Sequence, residues 1–382
     1  MATTDRPDAA PADAASGVAE ALADAELACL VAPADADCLA AAGLLAAACR
    51  SAGVPYQASV ARTADEVAAR LAGADEAATT VVIGATADGG LALDPDGPVS
   101  PLAHRIAGEL GATPDPVTAL AGAVAAGAVP SQATPGLLEA AGLDREPGLA
   151  VPTAALADGL AHTTLVHAAF SGDAEATRTA LDDVGLADAD GADLAEAEAR
   201  RAGSLVALAA AGAPDATPRA ATAVERALRP YRTDGPFETL GGYADVLDAL
   251  AERAPGLAVA LVVGSNGRGD ALEHWRARGR AAHAAVRDAA TARHHGVLVA
   301  RTDGPVATVA RLLRDFRSPE PTVLAVGDGV AAAAATDAPV GEALAEAAAA
   351  AGGSALARGT RGTASFDPDR TERFVEAFRE AR

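Results

Sequence analysis

The stretch ELACLVAPADADCLAAAGLLAAACRS, residues 26–51, sets an apolar strand, a pair of aspartates and a small-residue helix end to end. Its pattern predicts a strand over 27–32 and a helix over 38–50. Asp35 and Asp37 fall at the junction. Hard oxygen ligands placed at a strand end can hold a divalent cation. A carboxylate just ahead of a helix also caps the free N–H groups of the first turn and suits the positive end of the helix dipole. Two aspartates alone rarely hold a catalytic metal, so Asp37 fits the capping role better.

Working outward, two further strand–helix units follow, with strands at 54–61 and 79–84 and a helix at 64–71. TTVVIG, 79–84, is a continuous β-branched run, the texture of a parallel strand buried on both faces. Gly and Pro punctuate 84–101, which reads as loop. Helical pattern dominates from 101 to about 229. A helix near 242–253 presents Val246, Leu247 and Leu250 on one face, and 257–263 fits a helix or a strand. GSNGRGD, 264–270, reads as a hinge and helix start; no acidic residue after a further strand completes a dinucleotide fingerprint.

An arginine-rich helix is expected over 268–294. Strands at 296–301, 321–326 and 353–366 then alternate with helices at 305–316, 340–351 and 370–381. The expected fold is α/β, a parallel-sheet N-terminal domain followed by a smaller α/β domain. The expected divisions are a disordered tail at 1–23, a first domain at 24–266, a connecting helix at 267–294 and a second domain at 295–382.

Composition bounds the chemistry. The 382 residues carry 52 Asp and Glu against 30 basic residues, all of them Arg, for a net charge of −22. Ala dominates and aromatics are only 3%. An acidic, lysine-free chain of this kind is of the halophilic, haloarchaeal type, in which one-signed charge serves solubility. The charge is uneven: residues 1–220 sum to −21 and residues 221–382 to −1. A near-neutral C-terminal part suits either a surface that meets phosphates or arginines paired internally. Cys29, Cys38 and Cys49 lack zinc-ligand spacing and read as small buried hydrophobes. No signal peptide or membrane-spanning run is evident, which predicts a cytoplasmic protein with no membrane partner.

With these surroundings, 26–51 resembles the first metal motif of the DHH phosphoesterase superfamily, the RecJ-like nucleases and their relatives. The family pattern is His, then Asp-x-Asp, then Gly. Here Pro33 takes the His position and Cys38 the Gly position, while Asp35 and Asp37 survive. FETLGGYADVLDALAER, 237–253, is similar to the end of the catalytic domain in archaeal RecJ-like proteins. GGSALARGTRGTASFDPDRTERFVEAF, 352–378, resembles the substrate-binding DHHA1 loop, with its histidine gone.

The resemblance implies a DHH–DHHA1 fold and, in an intact member, metal-dependent hydrolysis of phosphodiesters. The second motif would end the third strand in Asp, but Gly84 or Ala85 stands there and Asp88 lies farther into the loop. The Asp-His-His motif has no counterpart. Asp94 and Asp96 occupy its candidate loop without a His, and His104 comes too late. The fourth motif falls at Pro130 or Ser131. Asp35 and Asp37 are therefore vestigial metal-ligand candidates, no residue is named as catalytic, and no cofactor is expected. His294–His295 read as helix-terminal cations, and His162 and His167 as structural.

Candidate nucleic-acid or phosphate contacts are Arg358, Arg361, Gly359 and Gly362 in the DHHA1-like loop. Arg268 and Trp275 join them on the arginine-rich helix, Trp275 as a base-stacking platform. The ordinary reading of that helix is a solvated face paired with Asp270, Glu273 and Asp288. Salt suppresses phosphate binding steeply, which favours the ordinary reading for the helix and leaves Arg358 and Arg361 as the main candidates.

The resemblance thus implies a RecJ-like protein of DNA replication or repair that has lost catalysis and serves as a partner or scaffold. Its expected partners are an active RecJ-like paralogue or a replication complex such as GINS, with single-stranded nucleic acid as a candidate ligand. The alternative is an active Mn- or Mg-dependent single-strand exonuclease or small-nucleotide phosphoesterase, its metal ligands rebuilt from Asp88, Asp94 or Asp96. A third reading is a nucleotide-sensing module.

Overall fold

A computed structural model describes residues 11–382, apart from 76, 87, 88, 192 and 193. The first sheet contains β1 (Ala28–Pro33), β2 (Tyr56–Ala61), β3 (Thr79–Ile83) and β4 (Leu91–Leu93), in the order β2-β1-β3-β4. All three of its pairings are parallel. The parallel sheet expected from 27–32, 54–61 and 79–84 is therefore present.

Helix α1 (Pro11–Ala23) precedes this sheet, α2 (Ala36–Ala52) and α3 (Ala64–Ala72) connect its strands, and α4 (Ser100–Glu109) and α5 (Pro116–Ala125) follow it. Alanine-rich α2 is buried almost all round, because the sheet covers one side and other helices the rest. Small side chains permit this: a Cβ at Gly43 would lie 2.5 Å from Val262, so α2 can meet the helix carrying Val262 only through a glycine.

Among the described residues of the middle of the chain lie α6 (Pro130–Ala133), α7 (Pro135–Ala141), α8 (Leu156–His162), α9 (Ala174–Asp182), α10 (Glu196–Ala211) and α11 (Pro218–Ala227). Then come α12 (Leu240–Arg253), α13 (Pro255–Val263) and α14 (Arg268–Asp288). The ambiguous 257–263 segment is helical. Gly264, with φ of 102°, ends α13 in the left-handed conformation that glycine tolerates.

The second sheet is mixed, with β5 (Ala290–His294), β6 (Val297–Arg301), β7 (Thr322–Val326), β8 (Val330–Ala335), β9 (Ser354–Arg358) and β10 (Arg361–Ser365). Its order is β5-β6-β7-β8-β10-β9, and only β6–β7 is parallel. Helix α15 (Val306–Leu312) continues into a π-turn over Leu313–Arg317, and α16 (Gly341–Ala350) and α17 (Thr371–Glu380) complete the chain.

Two large cores result. One joins the first sheet to α1, α2, α4, α5 and residues 237–275. The other joins residues 149–227 to residues 282–334: α8 packs on α14 and α11 on the π-turn, while α15 lies on β7 and β8. The opposite face of that sheet is covered by α16 and α17, around Phe366, Phe374 and Phe378.

Several expectations change. Residues 11–23 of the expected tail form α1, which buries Ala15, Val18, Ala19 and Leu22 against the first core; residues 1–10 lie outside the described residues. The loop 84–101 contains β4 and the start of α4. The helix expected to reach 294 ends at Asp288. Residues 290–294 instead turn at His295–Gly296, Gly296 having φ of 78°, and pair with β6. His294 therefore ends a strand and not a helix. β8 was not anticipated; its run VAAAAA has weak strand propensity but lies between β7 and β10.

Candidate functional site

The end of β1 and the start of α2 meet the β9–β10 hairpin from the far end of the chain. Asp35, not Asp37, is the helix cap. In extended conformation, its Oδ1 accepts the N–H groups of Asp37 at 3.1 Å and Cys38 at 3.2 Å. Burial, and then the negative charge of Asp37, raise the Asp35 carboxyl above its ordinary value.

Asp37 is fully buried and turned toward the β4–α4 loop. Its Oδ2 accepts the Val99 N–H at 2.6 Å, and its Oδ1 accepts the Ser100 N–H at 2.9 Å. The Ser100 hydroxyl lies 2.5 Å from Oδ1 and 2.8 Å from the Ala119 carbonyl, its one proton serving one of them at a time. Arg358 Nη1 donates to Oδ2 at 3.0 Å. A carboxylate offers about four acceptor sites, and these neighbours take up those of Asp37.

Arg358 ends β9. Its Nη2 donates to the Gly97 carbonyl at 2.7 Å, and its Nε lies 4.0 Å from Asp94. Arg361, across the hairpin, donates from Nη1 to the Ala125 carbonyl at 2.8 Å. That carbonyl ends α5, where a cation complements the helix dipole. Leu356 of β9 packs on Val31, Ala61, Val67 and Val82 of the first sheet's region. The hairpin therefore closes on the first sheet through one apolar and two arginine contacts.

The remaining glycines of the DHHA1-like loop shape that hairpin. Gly359 takes φ of 54° in its two-residue turn. At Gly362 a Cβ would come within 2.5 Å of Ala357 and 2.6 Å of Leu344.

These residues do not fit a divalent metal. Pro33 offers no ligand. A Cβ at Gly84 would stand 2.3 Å from the Cys38 Sγ and 3.5 Å from the Arg358 guanidinium carbon, so a second-motif aspartate has no room. The Cys38 thiol is pushed well up by burial and then by Asp35, so it is no thiolate ligand. Asp94 and Asp96 are exposed, Asp88 lies outside the described residues, and Pro130 and Ser131 begin α6. Among the described residues no three His, Cys, Asp or Glu side chains could hold a metal together.

The other arginines of the site reading point inward or pair. Trp275 is wholly buried on the inner face of α14 and donates Nε1–H to Asp245 at 2.8 Å. It therefore presents no face to a base. Arg268 donates Nε to the Pro236 carbonyl at 2.5 Å and lies over the Phe237 ring. Arg276 forks onto Asp158, and buried Arg278 donates to Glu252 at 3.0 Å. These partners come from distant helices, not from α14 itself.

Asp245 anchors a second buried cluster that the residue types alone did not reveal. It accepts the Thr163 hydroxyl at 2.9 Å, the Thr164 N–H at 3.0 Å and the Thr164 hydroxyl at 2.5 Å. Arg311, from α15, donates to the Thr164 carbonyl at 2.9 Å and to its hydroxyl at 2.6 Å. Two buried histidines flank this cluster, His167 and His283, with Nδ1 atoms 2.9 Å apart.

Comparison with known proteins follows the same outline. The family described as "Uncharacterized protein rrnAC1427, C-terminal domain" matches residues 289–380. The protein rrnAC1427 of Haloarcula marismortui is 46% identical over 377 residues, 97% of each chain. Among solved structures, CDC45 from Entamoeba histolytica superposes with a TM-score of 0.60 at 9% identity, over 97% of this chain and 98% of that one. RecJ from Thermus thermophilus, in complex with Mn2+, gives 0.46 at 17% identity, over 97% and 54%. The fold is thus that of CDC45, a parallel sheet and a mixed sheet in one chain. Among the described residues no helix is long and apolar enough to cross a membrane.

Proposed function

Because this chain belongs to the family of the Haloarcula marismortui protein rrnAC1427 and has the fold of CDC45, we propose that it is a non-catalytic RecJ-like protein. In this reading it serves as a structural partner in DNA replication or repair. The observation that carries the reading is the ion pair between Asp37 and Arg358. A guanidinium stands against Asp37, the more deeply buried of the two aspartates at the strand–helix junction, and it comes from the hairpin that the resemblance gives to substrate. The cleft between the lobes is thereby tied shut by side chains of the chain itself. Arg358 and Arg361 are spent on main-chain carbonyls and Asp37, which leaves them poorly placed to meet phosphate.

The first test is release of nucleotides from single-stranded DNA and RNA with manganese, comparing the full chain with Asp35→Ala/Asp37→Ala. The expected result is no release by either. Turnover that disappears in the double variant overturns the reading. The second test is co-purification from cells with a RecJ-like paralogue or a GINS-type complex, which a partner role requires.

A further inference from the structure

The outer edge of the first sheet is open. The Ala28 N–H donates to the Pro55 carbonyl and the Ala34 N–H to the Ala61 carbonyl, so alternate residues of β2 face β1. By strand alternation, the backbone groups of Tyr56, Ala58 and Val60 face the other way. Among the described residues no strand pairs with them. The same three side chains, with Val259, Ala260 and Val263 of α13, line a groove of about 380 Å³. An unpaired strand edge beside an apolar groove is what an extended peptide needs. Main-chain bonds supply affinity, and alternate side chains enter the groove.

Charge selects among occupants. Arg50 and Arg62 stand near the two ends of β2, and both are exposed. Their guanidinium groups donate to main-chain carbonyls, of Val263 at 2.8 Å and of Glu252 at 3.4 Å. Among the described residues neither forms an ion pair. A second copy pairing antiparallel through β2 would bring each Arg50 against the other copy's Arg62, like against like, which disfavours self-association.

We propose that the β2 edge and the β2–α13 groove form a docking site for an extended acidic peptide. The peptide adds as a fifth strand, with small apolar side chains turned into the groove and carboxylates reaching Arg50 and Arg62. This gives the partner role proposed above a surface, but it depends on no residue of the cleft.

The probe is a fluorescein-labelled, end-capped peptide of alternating valine and aspartate, titrated with the full chain across a potassium chloride series. Its counterpart alternates valine and lysine. Binding of the acidic peptide, weakened about tenfold in the lysine peptide and weakening with salt, is the expected result. Arg50→Gln/Arg62→Gln should weaken binding by a similar factor. Ala58→Pro removes an N–H that faces away from β1, so the sheet keeps its ladder while the edge loses a donor, and binding should fall about tenfold. Should Ala58→Pro fail to fold, the arginine variant decides the matter alone. Amide exchange at Tyr56, Ala58 and Val60 should slow when peptide is bound. Equal affinity for both peptides, no binding of the acidic one, or concentration-dependent dimers lost in Ala58→Pro would each overturn the proposal. A nuclease-active protein that still binds the peptide would sink the non-catalytic reading and leave this site standing.

Discussion

Asp37 and Arg358 lie 321 residues apart in the chain and 3.0 Å apart in space. One opens the first helix after β1, and the other closes the edge strand of the second sheet. Their contact makes the C-terminal hairpin part of the N-terminal site, so a single substitution on either side is felt in both lobes.

Arg358→Ala should therefore destabilise the whole chain. It leaves a fully buried carboxylate with its N–H donors but no counter-charge. Breaking a buried pair typically costs about 3–5 kcal/mol; Arg358 is partly exposed, so a loss of about 2 kcal/mol is expected. Arg358→Lys keeps the charge but not the fork that reaches both Asp37 and Gly97, and should fall between the two. Denaturant midpoints in concentrated potassium chloride check this; an unchanged midpoint for the alanine variant would show that the pair holds nothing.

Restoring the second motif should do harm and no good. Gly84→Asp puts a Cβ onto the Cys38 Sγ at a residue whose φ is 66°. Strain and overpacking each cost on the order of 1–3 kcal/mol. Thermal unfolding of Gly84→Asp should shift downward, and isothermal titration with manganese should register no binding. Tight manganese binding by that variant would show the cleft to be more adaptable than its packing indicates.

Asp245 should tolerate no isostere. The Trp275 N–H, the Thr164 N–H and the nearby Arg278 can only donate, and Asp245 answers them with an acceptor-only carboxylate. Asp245→Asn keeps an oxygen for the Trp275 and Thr164 N–H groups but sets an amide N–H2 toward Arg278 and the Thr164 hydroxyl and removes the counter-charge of a buried guanidinium. A loss approaching that of Asp245→Ala, about 3 kcal/mol, is expected. A neutral asparagine variant in equilibrium unfolding would contradict this account.

The buried pair His167–His283 predicts the direction of an acid effect. Burial, then the neighbouring imidazole and Arg317 and Arg287, push His167 down to about 3. Burial pushes His283 down to about 4, against the Thr163 carbonyl. Both are neutral when folded, while the unfolded chain titrates near the ordinary histidine value of about 6.5. Below that value the unfolded state binds more protons, so stability falls as pH drops from about 6.5 toward about 4. His167→Gln should flatten this slope relative to wild type. Denaturation midpoints at several pH values for both proteins measure it, and parallel slopes would exclude the pair as its source.

How legible all this was depends on which interaction decides each element. The first sheet was readable because strand and helix patterns alternate over 27–84 and 79–84 is a continuous β-branched run, while Pro33 and Gly84 stand where the resemblance implied a His and an Asp. β5 and β8 were not, since ATARH and VAAAAA become strands only through neighbours β6, β7 and β10. Asp35 and Asp37 stood out by their place at the strand–helix junction, but the cap expected at Asp37 fell to Asp35, because two residues of register decide which carboxylate meets the helix N–H groups. Trp275 looked like a surface stacker within an arginine-rich run. Its burial follows from which face of α14 meets α12, and that packing lies outside the helix's own sequence. The partners of Arg358 are on loops hundreds of residues away, and no local pattern names them.

The core shared by residues 149–227 and 282–334 has a consequence for synthesis. While the ribosome is still adding the second sheet, the middle helices have emerged with their apolar faces and nothing to cover them. The first sheet lacks its full lining too, since Phe237, Tyr243 and Trp275 also come late. A nascent chain halted near residue 264 would hold helices α8–α11 exposed, a sticky intermediate at the mercy of chaperones. Translation must thus pass residue 275 before the first core has its full lining and residue 334 before the second does, so the middle helices are the last to be covered.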